Sequence, residues 1–430
     1  MKELIKRIKT NTVKLLFSTS LSSALNLFSF FLLSNMLGVT QFGFLILVFT
    51  FIEIIDSLIN LKSWKAFIKF GSKNKKNKED ISSLFFNCFS IDFIFILLAF
   101  IISYLSFDYY AIFYQIPEQF SVVLKFLSVT LLFKSFDIYI GVLRVYNQYN
   151  FQVTTEITQS VIIFLGILFV NYSYKTLESV VWVYLLSSFI GMALKLYFLK
   201  KTFKLNQIKI TSNLKNFKKN VFSKSYLFDF IIYNNFNDSI RVLSRKIDFI
   251  IIGKLLGPSS VAVYKLVVTL CSIVSKLIDP LYQVIYPEIA ILVTENKRTE
   301  LYILVKKITF NVLLILVFYN ILFYFLADNL LELMLNLDVN LIHTLSLYQN
   351  IPIGLSILAI CLPSLMDSLG LVKRAFYNNL VATLIYSAIV YQMIMLYGIK
   401  GAIFSYIIYY ISWIVLTIRS LYLIKNTLTT

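Results

Sequence analysis

Arg241, Arg245, Lys246, Lys265 and Lys276 sit inside two long apolar stretches, where ionised side chains are out of place. Each charge at mid-membrane costs about 2.5–3.5 kcal/mol on the insertion scale, so such residues turn towards a bundle interior or towards water. Asp238, Arg241, Arg245 and Asp248 recur at i, i+3, i+7 and i+10, one face of a helix. Lys265, Ser272, Lys276, Asp279 and Gln283 form a second such face. The spacing predicts a hydrated cavity with a surplus of cations. Arginine presents a planar fork to phosphate oxygens and lysine a point charge. Arg241 and Arg245, helped by Lys265 and Lys276, are therefore the candidate anion-binding residues. Acids on the same faces leave internal ion pairing as the competing explanation.

Other apolar stretches carry isolated polar groups. Glu53, Asp56 and Asn60 share a helical face; Asp92 and Glu156 lie alone, and Lys134 and Asp137 are spaced to pair locally. Acids at such depth are candidates to bind a proton or Na⁺ and couple its gradient. Glu53 and Asp56 lead that set, followed by Asp92, Asp238, Asp248 and Asp279; pairing with cations is again the alternative. Ser18, Ser22, Asn26 and Ser29 form a stripe that either contacts a polar substrate, with Asn26 as the candidate, or lets helices pack closely.

The remaining reactive residue types exclude much chemistry. Cys88, Cys271 and Cys361 lie in apolar runs without metal-ligand spacing, and read as small core hydrophobes. A single histidine, His343, has no neighbouring nucleophile or ligand cluster. No phosphate-cradling glycine loop is present, which argues against direct use of ATP. No metal or resident cofactor is expected.

The elements that must position these residues are membrane helices. The 430 residues are 58% hydrophobic and 14% charged, with mean hydropathy +0.78; soluble domains carry roughly 25% charge. About 20 apolar residues span a bilayer as a helix, and twelve stretches qualify: 12–34, 42–61, 84–106, 121–143, 153–172, 179–199, 226–253, 259–290, 305–327, 342–369, 376–397 and 401–424. Pro280, Pro287, Pro352 and Pro363 are expected to kink spans eight and ten. With the N-terminus inside, the outer loops carry only Lys175, Lys254 and Lys400, against thirty Lys and Arg in the inner segments. This asymmetry places both termini in the cytoplasm. The net charge of +18 thus reflects topology and contact with anionic lipids, not nucleic acid. Met1–Lys14 reads as an uncleaved basic lead-in.

An internal repeat divides the chain. MLGVTQFGFLILVFTF from Met36 aligns with LLGPSSVAVYKLVVTL from Leu255, pairing Gly38 with Gly257 and Thr40 with Ser259 at an offset of 219. Six spans separate the copies, so they are parallel repeats related by an axis along the membrane normal. The expected division is an N-terminal lobe 1–204, a basic cytoplasmic linker 205–224 and a C-terminal lobe 225–430.

These segments, with SRKIDFIIIGKLLGPSSVAVYKLVV and PLYQVIYPEIA, resemble the repeat hallmarks of the polysaccharide-type flippases. Those belong to the multidrug/oligosaccharidyl-lipid/polysaccharide exporter superfamily. The resemblance implies an all-α polytopic protein of twelve transmembrane helices in two six-helix lobes, V-shaped about a central cavity and working by alternating access. It implies flipping of an undecaprenyl-diphosphate-linked oligosaccharide, an O-antigen or capsule repeat unit, to the outer leaflet of the bacterial inner membrane. Arg241, Arg245, Lys265 and Lys276 would receive the diphosphate. A polysaccharide polymerase and a chain-length regulator are the protein partners this reading implies. Two other functions compete. A cation-coupled extruder of the same superfamily commonly carries an acid in its first helix, yet Thr12–Ser34 has none. A membrane glycosyltransferase or polymerase would need a large outer loop with catalytic groups, and the loop near Ser106–Phe120 offers only Asp108 and Glu118.

Overall fold

The computed structural model describes residues 2–73, 77–208, 231–232, 235–236, 239–240, 242–295, 297–334 and 339–427. Among these residues every regular element is a helix. Ten helices are long and apolar enough to cross a membrane. The first, Val13–Ile59, runs for 47 residues, about 70 Å at 1.5 Å per residue, more than twice the hydrocarbon thickness. It holds predicted spans one and two, so the ten helices account for all the predicted spans except the seventh. Of that span, 226–253, residues 226–230, 233–234, 237–238 and 241 lie outside the described residues.

The chain divides into two compact units, Met1–Leu37 with Phe44–Lys246, and Gly38–Gly43 with Ile247–Thr430. The first contains α1 (Lys2–Ile59) apart from its Gly38–Gly43 segment, α2 (Trp64–Lys73), α3 (Lys78–Phe113), α4 (Glu118–Lys125), a 3-10 helix (Phe126–Phe136), α5 (Ile138–Val145), α6 (Tyr149–Tyr172) and α7 (Leu177–Leu205). The described residues between 231 and 246 also pack here: Ile231 joins Leu61, Ala66 and Ile91 in one cluster, and the Ser239 hydroxyl donates to the Ser57 carbonyl. The expected linker falls mostly outside the described residues. The second unit contains α8 (Ile247–Leu255), α9 (Pro258–Thr294), α10 (Arg298–Met334), α11 (Val339–Leu358), α12 (Cys361–Ser368), α13 (Val372–Tyr397) and α14 (Ile399–Thr427).

Burial is arranged for lipid. α3 exposes Phe93, Ile94, Leu97, Leu98, Ile101 and Leu105 while burying Asp92 and Ser103. An apolar face of that size on a soluble protein would drive association; against acyl chains it needs no partner. The three cysteines are buried, as expected of core residues. With only 12 glycines, the chain closes five helices through Lys62, Gln115, Asn147, Lys175 and Gln207 at positive φ, 48–56°.

At Gly38, Gly43 and Gly257 the backbone conformation or a close approach requires glycine. Gly38 breaks α1 with φ 73° and ψ 163°, a conformation open essentially to glycine alone. Its repeat equivalent, Gly257, has φ 84°. The two turns meet within the second unit, where the hydroxyls of Thr40 and Ser259, themselves repeat equivalents, lie 3.0 Å apart. Gly43 permits this approach, because a Cβ there would sit 1.9 Å from the Pro258 carbonyl oxygen. Gly43→Ala and Gly38→Ala should each cost about 1–3 kcal/mol, the first through overpacking and the second through backbone strain. Both should lower the thermal unfolding midpoint in detergent. Gly354→Ala, with open space around the added Cβ, should leave it unchanged.

Candidate functional site

The first unit contains an array of charged groups that reaches across its helices. Asp56, on α1, is buried and accepts from Asn60 Nδ2 at 3.0 Å and from Lys134 Nζ at 3.0 Å. Lys134 does not take the neighbouring Asp137 that its spacing suggests. Asp137 instead accepts from Lys195 of α7 at 2.6 Å. Glu53, about one turn before Asp56 and more exposed, pairs with Lys246. On α6, Glu156 accepts from Ser18 of α1 at 2.9 Å and from Gln152 at 2.8 Å.

The local reason for the Lys134 geometry is the helix that carries it. Phe126–Phe136 is an eleven-residue 3-10 helix set into span four, whereas runs beyond three or four residues are uncommon and mark strain or a hinge. Thr130 and Ser135 turn their hydroxyls onto the carbonyls of Leu127 and Leu132, at 2.6 and 2.7 Å, competing with regular helical bonding. Residues three apart eclipse in a 3-10 helix, so Ser128, Leu131 and Lys134 fall in one row. Ser128 meets Ser103 of α3 at 3.1 Å.

Asp92 stands apart from that array. Its two carboxylate oxygens accept from the Ser63 amide at 2.9 Å and the Ser63 hydroxyl at 2.8 Å. The carboxylate thereby fixes the turn between α1 and α2. Asn26 is half-buried on α1, and its stripe partners Ser18 and Ser29 are buried.

The single helical face expected from Asp238 to Asp248 is corrected by a turn. Arg245 and Lys246 donate their amides to the carbonyls of Val242 and Leu243, and α8 starts afresh at Ile247. Arg245 is exposed and Asp248 buried; the interruption resets the helical phase that the spacing assumed. Asp238 and Arg241 lie outside the described residues. Within the second unit Asp248 accepts from the Tyr264 hydroxyl at 2.5 Å and from the Phe249 amide at 2.9 Å. Lys265 places its ammonium 6.0 Å from the centre of the Phe249 ring, and Lys276 is half-buried on α9. Asp279 lies on α9 with its side chain outside the described set. Sequence reasoning missed Tyr264, Lys195 and the Ser18–Glu156 contact, since each partner comes from a different helix and no periodicity links them.

The pair between Asp56 and Lys134 provides a direct test of the array. Removing one member of a buried pair strands the other, at a cost of about 3–5 kcal/mol, whereas replacing both by uncharged groups of similar shape is far milder. Lys134→Ala should therefore lower the unfolding midpoint more than the double variant Asp56→Asn/Lys134→Met, measured side by side in detergent.

Known proteins share this architecture. A structure described as an inward-facing multidrug resistance MATE family transporter of the MOP superfamily superposes with a TM-score of 0.74 at 13% identity, covering 95% of this chain and 96% of that one. The lipid II flippase MurJ in an inward closed conformation gives 0.71 at 14% identity, over 94% and 86%. A MOP superfamily transporter from Pyrococcus furiosus gives 0.66 at 14% identity, over 96% and 93%. At these identities the likeness shows the fold. No curated protein matches the chain in sequence. The family described as polysaccharide biosynthesis protein matches residues 8–293, and the chain belongs to that family.

Proposed function

We propose that the chain flips a lipid-diphosphate-linked oligosaccharide, the repeat unit of an O-antigen or capsule, from the cytoplasmic to the outer leaflet of a bacterial inner membrane. The carrying observation is the cation surplus inside its apolar spans, in a chain of the polysaccharide biosynthesis family. Arg245 exposed at a helix break and Lys265 and Lys276 half-buried on α9 offer fork and point charges suited to a diphosphate. Arg241 completes the set on sequence grounds. The structural likeness to a lipid II flippase supports a lipid-linked substrate.

In this reading two lobes, 1–204 and 225–430, expose the cations alternately to either side, and no covalent chemistry takes place. Both termini lie in the cytoplasm. A flux of H⁺ or Na⁺ through the acids of the spans drives the cycle, with Asp56 the leading carrier and Glu53, Asp92, Asp238, Asp248 and Asp279 its alternatives. The switch we assign is the 3-10 helix. Relaxing eleven residues from about 2.0 to 1.5 Å rise each would shorten the segment by about 5 Å and rotate Lys134 away from Asp56. Binding a cation at Asp56 would release Lys134 in the same step. A polymerase and a chain-length regulator would receive the product.

Deletion in the source bacterium should abolish surface polysaccharide and trap lipid-linked repeat units on the cytoplasmic leaflet. The wild-type gene should reverse both effects. Arg241→Gln/Arg245→Gln should fail to complement at normal protein levels, whereas the corresponding Lys replacements should restore part of the flux. Unchanged polysaccharide with heightened sensitivity to cationic drugs would overturn the proposal in favour of an extruder.

A further inference from the structure

The helix α2 closes one end of the first unit. Phe67 packs with Ile81 of α3, Val142 and Val145 of α5, and Leu199 and Phe203 of α7, all near the ends of their helices. By the distribution of Lys and Arg this end faces the cytoplasm. The other side of α2 carries Lys65 and Lys69, one turn apart and half-buried, with Lys62 in the connection just before the helix.

Trp64 gathers two of the cations at this end. The guanidinium carbon of Arg144, from the last turn of α5, lies 5.0 Å from the centre of the indole, and the Lys65 ammonium lies 5.7 Å from the same centre. Each contact is favourable, and together they bring two cations to one ring. Nε of Arg144 is closed off from solvent and has no hydrogen-bond partner among the described residues. Among those residues no ion pair of Arg144 is found, and its guanidinium lies against the indole face.

A tryptophan and snorkelling lysines on an amphipathic helix are features of the membrane interface. Residues 62–78 contain seven lysines and no acid, a charge complementary to an anionic leaflet. We propose that Arg144, Trp64 and Lys65 seat the phosphate of an anionic phospholipid of the cytoplasmic leaflet. The phosphate oxygens take the Arg144 fork and the Lys65 ammonium beside the indole. The lipid thereby pins α2, and with it the floor of the unit, to the bilayer surface. The proposal rests on the orientation of the chain and is independent of the transported substrate.

The test is thermal unfolding of the full-length protein in nanodiscs of phosphatidylcholine, with and without phosphatidylglycerol. Phosphatidylglycerol should raise the wild-type midpoint. Arg144→Gln should lose most of that increment, Arg144→Lys a smaller part, and Lys400→Gln, in an opposite loop, none. Trp64→Leu serves as the second variant should Arg144→Gln fail to fold, and it too should lose most of the increment. Increments in Arg144→Gln or Trp64→Leu equal to that of the wild type would overturn the proposal. So would an equal increment from inorganic phosphate at matched ionic strength in phosphatidylcholine discs, which would make the site one for free phosphate.

Discussion

A charge inside hydrocarbon must be answered within the protein, and the first unit is organised by that requirement. Asp56 and Lys134 are the clearest case, a carboxylate and an ammonium 3.0 Å apart, contributed by α1 and by the helix of span four. Left alone, either would carry most of the penalty that bars ions from bilayers. The same rule sets Lys195 against Asp137 and Lys246 against Glu53, so α1, span four, α7 and the stretch before α8 are tied by pairs whose members sit on different helices. Such pairs add little net stability, since desolvation offsets much of the attraction, but separating them is costly. They therefore fix which helix neighbours which. On the proposed function they would also provide discrete states for an incoming cation to bias.

Backbone geometry supplies the second constraint. Gly38 and Gly257 both take positive φ, and the Thr40–Ser259 contact brings the two copies of the repeat motif together. A sequence repeat with an offset of 219 residues thus becomes a physical contact between equivalent atoms. Gly43 is the residue that lets the backbones close. The 3-10 helix is the opposite kind of feature: eleven residues in a tighter helix than such runs usually sustain, accompanied by the hydroxyl bonds of Thr130 and Ser135 and the ion pair of Lys134.

Much of this was legible in the sequence, because the signals concerned are long or local. Twenty apolar residues in a row mean a span whatever surrounds them, and a glycine between two spans means a turn. Cysteines in apolar runs proved to be buried. What could not be read depends on contacts between distant positions. Lys134 was spaced to meet Asp137, three residues on, yet its partner lies 78 positions away. FLSVTLLFKSF contains neither glycine nor proline, so nothing marked it as other than α-helical. The face predicted from Asp238 to Asp248 assumed an unbroken helix, and no glycine or proline announced the turn at Arg245. Periodicity places a residue on a face only while the helix keeps its phase.

On the proposed function, Arg241, Arg245, Lys265 and Lys276 carry a lipid-linked diphosphate across the bilayer. The most direct measurement is leaflet exchange in proteoliposomes loaded with a fluorescent prenyl-diphosphate oligosaccharide, read by quenching from outside. Accelerated exchange with the wild-type protein, lost in Arg245→Gln and stimulated by an imposed H⁺ or Na⁺ gradient, is the predicted result. Exchange no faster than in protein-free vesicles, together with gradient-driven movement of a lipophilic cation, would contradict it.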